Sequence, residues 1–222
     1  QGYGLTETSP ILTVMDDQCH ERCFESGDFA RLKSVGTPVA GVQMRIVDDS
    51  DRTLACGETG EVIVRGPNVS PGYYKRDAEN ARAFRDGWFY TGDVGRLDEN
   101  GFLFLVDRKK DVIITGGENV YSTEVEAAIF RHPGVAEAAV IGVPDDKYGE
   151  ALFAVVASRP GVALAAEDIV RHCREHIAGF KIPRQVVFVD ALPRTALGKV
   201  QKNVLRQIYR AGVADALPRE SP

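Results

Sequence analysis

The chain has 222 residues, of which 44% are apolar and 27% charged, and a net charge of −5. Such a length suggests one large domain or two small ones, and such a balance excludes wholesale disorder and a disulfide-dominated miniprotein. The acidic excess gives no reason to expect nucleic acid as a partner, and the best apolar runs, Ala138–Val143 and Ala151–Ala157, are strand-sized, so no membrane span is predicted.

The sequence opens at Gln1 inside a glycine-rich phrase, Gln1-Gly2-Tyr3-Gly4, with neither an initiator Met nor a leader, which suggests a fragment. Residues 11–35 carry scattered charge without periodicity and read as a long connection. Residues 42–47, 61–65 and 102–106 have strand length and β-branched or apolar content, separated by Gly, Pro and Asp, and predict a small barrel-like sheet. Between them, 77–84 predicts a short helix. Residues 111–115 then read as a strand entering a tight turn at 116–119. Thr123-x-x-Glu126 reads as a capping box that opens a helix, with Val125, Ala128 and Ile129 on one face and His132-Pro133-Gly134 at its end. Strands at 135–143 and 152–157, a helix at 166–177, a strand at 185–189 and a last helix at 203–209 follow. Pro218–Pro222 reads as a frayed tail.

The fold class is therefore α+β: a partial β-barrel-like subdomain followed by a small mixed α/β domain, with the boundary at Asp107-Arg108 and domains of 1–107 and 108–222. Charge divides the same way, net −7 before the boundary and +2 after it, so the second half suits an anionic ligand better. Cys19, Cys23, Cys56 and Cys173 match neither a disulfide framework nor paired CxxC knuckles and read as reduced thiols of a cytoplasmic protein. Cys19-His20 with Cys23, and His172 with His176, each supply only part of a zinc ligand set. The two later histidines are instead placed at the border of the apolar stripe Ile169, Cys173, Ile177.

Chemistry concentrates in a few phrases. Tyr3-Gly4-Leu5-Thr6-Glu7 offers a glycine for close backbone approach, a hydroxyl and a carboxylate, which together suit phosphate oxygens and the magnesium that rides on them. Residues 88–93, WFYTGD, put Asp93 after a glycine turn, and a carboxylate accepting two hydrogen bonds suits a ribose diol. Arg108-Lys109-Lys110-Asp111 follows a strand at the boundary. Residues 193–199, PRTALGK, end a turn-prone loop in Lys199, a movable point charge suited to negative charge developing on phosphate.

Taken in order, YGLTE, GEVIVRGPNVSPGYY, GWFYTGDVGRLDENGFLFLVDRKKDVI, GGENVYSTEVE and PRTALGKVQK closely resemble the adenylate-forming superfamily: acyl-CoA synthetases, luciferase-like enzymes and the adenylation domains of peptide synthetases. The resemblance spans nearly the whole chain. It implies two half-reactions, attack of a carboxylate on the α-phosphate of ATP to give acyl-AMP and pyrophosphate, then attack of the CoA thiol on the acyl carbon. It also implies roles. Thr6 would touch phosphate, Glu7 would hold Mg2+, and Asp93 would grip the ribose hydroxyls with help from Arg108, while Tyr3 and Gly4 would line the nucleotide and acyl pocket. Lys110 would be the hinge of the small domain, Gly116 and Gly117 the turn that approaches the pantetheine channel, and Lys199 the lysine that stabilises the adenylation transition state.

Singly, each phrase has an ordinary reading: Thr6 and Glu7 as a turn and surface pair, Gly116-Gly117 as a hairpin turn, Lys199 as a solvated lysine. Their joint order favours the functional one. Glu118, Lys109 and Lys202 are assigned as surface charges. The superfamily's phosphate loop lies upstream of anything in 1–222, so the chain is expected to be the C-terminal part of a larger enzyme and inactive by itself. The expected substrates are a fatty or aryl acid, ATP and CoA, and a homodimer is compatible with the resemblance. The alternatives are an adenylation domain that loads a carrier protein and a non-catalytic interaction module.

Overall fold

A computed structural model describes residues 1–212, so the predicted frayed tail at Pro218–Pro222 lies outside the described residues. The chain divides into two compact units, Gln1–Lys110 and the residues from Asp111 onward.

The first unit begins with short strands β1 (Gly2–Tyr3) and β2 (Thr13–Val14), helix α1 (Asp17–Ser26) and strand β3 (Thr37–Pro38), the three strands forming one small antiparallel sheet. Then come β4 (Gln43–Val47), β5 (Gly60–Arg65), α2 (Asp77–Ala83), β6 (Phe84–Arg85), β7 (Trp88–Leu97) and β8 (Leu103–Arg108). These five strands make an antiparallel sheet in the order β4-β5-β7-β6, with β8 also paired to β7. Leu12, Ile46, Val62, Val64, Phe89 and Leu103 form its buried core. Burial of each such side chain contributes about 1.5–3 kcal/mol.

Two expectations are corrected here. The connection predicted over 11–35 contains β2 and α1. Asp16 caps that helix, its Oδ1 accepting the Cys19 N–H at 2.7 Å, and Gly27 at φ 72° ends it. The helix buries only Cys23 fully, so there is no apolar stripe for a periodicity argument to find. The glycine turn predicted before Asp93 is instead a bulge inside the central strand β7. From Glu61↔Val94 to Ile63↔Tyr90, β7 advances four residues while β5 advances two, and Gly92 takes up the excess at φ 70°.

In the second unit, β9 (Ile113–Thr115), β10 (Glu118–Val120), β11 (Val135–Asp145), β12 (Gly149–Ser158) and β13 (Gln185–Val189) form one sheet in the order β10-β9-β12-β11, with β13 parallel to β12. Helices α3 (Ser122–Phe130), α4 (Ala166–His176) and α5 (Lys202–Arg210) cover it. Alternation along β11 and β12 sorts the side chains. Val140, Leu152, Ala154 and Val156 pack with Val125 and Ile129 of α3 and Ile169 and Cys173 of α4, whereas Ile141, Phe153 and Val155 pack with Leu205 of α5. Coverage of both faces is why these strands read as continuous apolar runs.

The predicted start of the helix at Thr123 shifts by one residue. Helix α3 starts at Ser122 with Tyr121 as its N-cap, and Glu126 turns toward the sheet, where its Oε1 accepts the Val140 N–H at 2.8 Å. Lys202 is no surface charge either. Its side chain is 15% exposed, and its ammonium bonds Ser122 Oγ and Glu126 Oε1, each at 2.7 Å, because α5 lies close enough to α3 to bury the lysine stem.

Candidate active site

In the first unit the structure brings Tyr3, Asp93 and Arg108 together. Asp93 leaves the Gly92 bulge as a buried carboxylate. The Tyr3 hydroxyl donates to its Oδ2 at 2.6 Å and Arg108 Nε pairs with its Oδ1 at 2.7 Å. Arg108 is the cross-strand partner of Asp93 in the β7–β8 ladder, so the pair is set by register. Burial, and then the neighbouring Asp93 charge, push the Tyr3 phenol far above its ordinary value and keep it a donor. The two bonds hold the carboxylate, a group that only accepts when ionised, in one orientation.

The Gly4 approach is to protein. A Cβ there would stand 1.6 Å from the Pro10 carbonyl oxygen, so Gly4 lets the chain fold back on itself beside Tyr3. Thr6 is exposed at the start of a single 3-10 turn, Thr6–Thr8, and the buried Thr8 hydroxyl pins that turn by bonding both N and O of Leu5. Glu7 is half-buried and its Oε1 accepts from the Tyr73 hydroxyl at 2.8 Å. Burial, reinforced by Glu7, moves that phenol up to about 12.

Two residues beside this group escaped the sequence reading, Tyr73 and Glu61, and Lys109, assigned there as a surface charge, is half exposed but ion-paired. Glu61 Oε1 accepts the Gly92 N–H at 3.2 Å, and its Oε2 pairs with Lys109 Nζ at 2.9 Å. Burial pulls Lys109 down, but the bonds from Glu61 and Asp49 outweigh it and the net movement is upward. The available signal was a glutamate heading the run Val62-Ile63-Val64, since a charge in a buried strand requires partners. Lys110 is exposed, within a 3-10 turn at Lys109–Asp111, and the division between the units falls directly after it.

In the second unit Gly116 and Gly117 form the two-residue link of the β9–β10 hairpin, at φ 60° and 85°. Gly116 N donates to the Tyr148 carbonyl at 2.9 Å. Gly116 also borders a groove of about 800 Å³ whose other walls include Glu118, Tyr148, Arg174, Phe180 and Arg184. Arg184 stacks over the Tyr148 ring at 4.0 Å, and Lys147 and Arg184 together lower that phenol. Lys199 does not line this groove. It stands exposed on a hairpin closed by the Arg194↔Val200 bridge, which is tethered by the 2.6 Å pair between Arg194 and Glu137.

A model of the AMP-binding enzyme family matches residues 1–74, and one of the AMP-binding enzyme C-terminal domain matches 124–199. Long-chain-fatty-acid–CoA ligase of Salmonella typhimurium is 40% identical over 213 residues, 96% of this chain and 36% of that protein. The chain belongs to the AMP-binding enzyme family. Another AMP-binding relative, 2-succinylbenzoate–CoA ligase of Geobacillus, is 40% identical over 94% of this chain and 40% of its own length. Among solved AMP-binding structures, o-succinylbenzoate CoA synthetase from Bacillus subtilis with its acyl-adenylate intermediate superposes with a TM-score of 0.81. It is 37% identical, and the match covers 93% of this chain and 40% of that one. ATP-bound MatB from Rhodopseudomonas palustris gives 0.77 at 42% identity, over 82% and 36%. The chain thus spans about two fifths of the length of the AMP-binding relatives it matches. No helix among the described residues is long and apolar enough to cross a membrane.

Proposed function

We propose that this chain is the C-terminal part of an ATP-dependent acyl-CoA synthetase, supplying the ribose-holding strand, the hinge and the small domain. The observation that carries the reading is Asp93: a buried carboxylate, held in one orientation by the Tyr3 hydroxyl and the Arg108 guanidinium. A ribose diol presents two hydroxyl donors to such an acceptor. Glu7, oriented by Tyr73, retains acceptor capacity for a hard cation, and bound Mg2+ would supply neutralisation of phosphate charge. Thr6 faces solvent one residue before it, available to a phosphate oxygen.

The second unit supplies the complementary parts. Lys199, exposed on its tethered hairpin, offers the point charge for the adenylation step. The Gly116-Gly117 link and the groove beside it, with the aromatic rings of Tyr148 and Phe180 and the guanidinium groups of Arg174 and Arg184, suit the nucleotide end of CoA, with the glycines leaving room for the pantetheine arm. Rotation about Lys110 would present Lys199 for the first half-reaction and the glycine turn for the second. Free thiols at Cys19, Cys23, Cys56 and Cys173 support a reducing, cytoplasmic setting.

The test is to incubate the intact protein that carries this chain with ATP, Mg2+, CoA and a panel of fatty and aryl acids, and to follow AMP, pyrophosphate and acyl-CoA by mass spectrometry. Acyl-CoA formed in step with AMP is expected. Turnover of ATP to ADP, or no acyl transfer to CoA with any acid, would overturn the reading.

A further inference from the structure

Helix α4 ends in a cluster that the reading above does not use. His172, Glu175 and His176 place one donor atom each, two imidazole nitrogens and a carboxylate oxygen, within 4.8 Å of one another. Residues three and four apart share a helix face, so the backbone itself brings these side chains together.

Two hydrogen bonds settle which nitrogens are free. His172 Nε2 lies 3.1 Å from the Ala128 carbonyl oxygen, and His176 Nδ1 lies 2.8 Å from the carbonyl oxygen of His172. A carbonyl only accepts, so both of those nitrogens carry protons, and the lone pairs remain on His172 Nδ1 and His176 Nε2. An imidazole whose far nitrogen donates to a backbone carbonyl is the orientation found in metal-ligating histidines. His132 differs. Its ring packs edge-on against His172 at 5.2 Å, but its Nδ1 accepts the Gly134 N–H, leaving Nε2 protonated and unsuited to ligation. Glu175 and His176 are exposed, which gives an ion direct access from solvent. The last turn of a helix also carries partial negative charge, which favours a cation there.

We propose that His172, Glu175 and His176 form a binding site for a divalent transition-metal ion such as Zn2+ or Ni2+. Two imidazoles and one carboxylate are the donor set such ions prefer, whereas Mg2+ takes oxygen ligands, so this site is separate in chemistry from any magnesium held by phosphates. Remaining coordination positions go to water. The ion would clamp the last turn of α4 between Arg174 and Gly179, both of which line the groove.

The experiment is a calorimetric titration of the protein carrying this chain with Zn2+ and with Ni2+, in excess Mg2+, comparing parent, His176→Gln, Glu175→Gln and His20→Gln. One ion per chain at this site is expected, with affinity reduced on the order of tenfold or more in His176→Gln, several-fold in Glu175→Gln, and unchanged in His20→Gln. Electron paramagnetic resonance of the Cu2+ adduct should show two coupled nitrogens in the parent and one in His176→Gln. Equal affinity in parent and His176→Gln, an unchanged nitrogen count, or no binding by the parent at millimolar ion would each overturn the proposal.

Discussion

Glu61 and Lys109 meet at 2.9 Å, and the glutamate side chain is 9% exposed while its other oxygen holds the Gly92 N–H. One carboxylate thereby joins the bulge that presents Asp93 to the segment that ends at Lys110. Glu61→Gln keeps the shape and removes the charge. Urea unfolding should show a loss of about 1–2 kcal/mol, at the modest end for a charged hydrogen bond because Lys109 is half exposed. An unchanged midpoint would mean that the bulge is held by its backbone alone.

Gly4 should tolerate no side chain. The Cβ of alanine would collide with the Pro10 carbonyl oxygen, which belongs to backbone and cannot swing aside. Gly4→Ala is expected to cost about 1–3 kcal/mol and to lower the thermal midpoint, because relief of the clash displaces Tyr3 from Asp93. Gly179→Ala serves as the comparison, since a Cβ there meets nothing within 4 Å and its φ is not positive.

Tyr73 sets an alkaline limit. Its folded value of about 12 exceeds the ordinary 10.0, so the folded chain keeps a proton that the unfolded chain releases between those values. The stabilisation is fully present below about pH 10 and is lost as pH rises through about 12. The parent should therefore lose stability more steeply than Tyr73→Phe across that interval, measured by urea midpoints. Parallel pH profiles would remove the Glu7–Tyr73 bond from the account.

Lys199→Ala should leave the fold intact, because the side chain is exposed on its hairpin. In the intact enzyme it should slow acyl-AMP formation on the order of 10²–10³-fold while sparing thioester formation from supplied acyl-AMP. Equal losses in both half-reactions would count against the assigned role.

Gly117→Leu should do the converse, impairing transfer to CoA and leaving acyl-AMP formation within a few fold. The positive φ of 85° makes leucine cost roughly 1–2 kcal/mol, so the thermal midpoint must be recorded beside the two single-turnover rates. Undiminished acyl-CoA release in a folded variant would place the pantetheine path elsewhere.

The sequence made some of these features legible and hid others for physical reasons. The strands and helices of the second unit show because both sheet faces are covered and each element buries a strong apolar pattern, as in Val140, Leu152 and Ile169. Helix α1 does not show, because its ends are fixed by Asp16 and Gly27 while its length buries almost nothing. The extent of β7 is masked by Gly92, whose turn-like signal is used up inside a strand. Asp93 and Arg108 stood out from their motifs, but their pairing is a matter of register, and Tyr3 reaches Asp93 across 90 positions of sequence. The third donor beside His172 and His176 was overlooked because Glu175 is one more acid among many until the helix is built.

Arg206 of α5 donates to Asp111 Oδ1 at 2.8 Å, a bond between groups 95 positions apart that links the first residue of the second unit to its last described helix. During synthesis the sheet can pair and α3 and α4 can dock while that helix is still unmade. Until it emerges, the face carrying Ile141, Phe153 and Val155 stays open to water. The second unit therefore has a vulnerable interval on the ribosome, when a chaperone or a neighbouring nascent chain can meet a bare apolar sheet. Stalling or truncation ahead of Lys202 should convert a stable domain into an aggregating one.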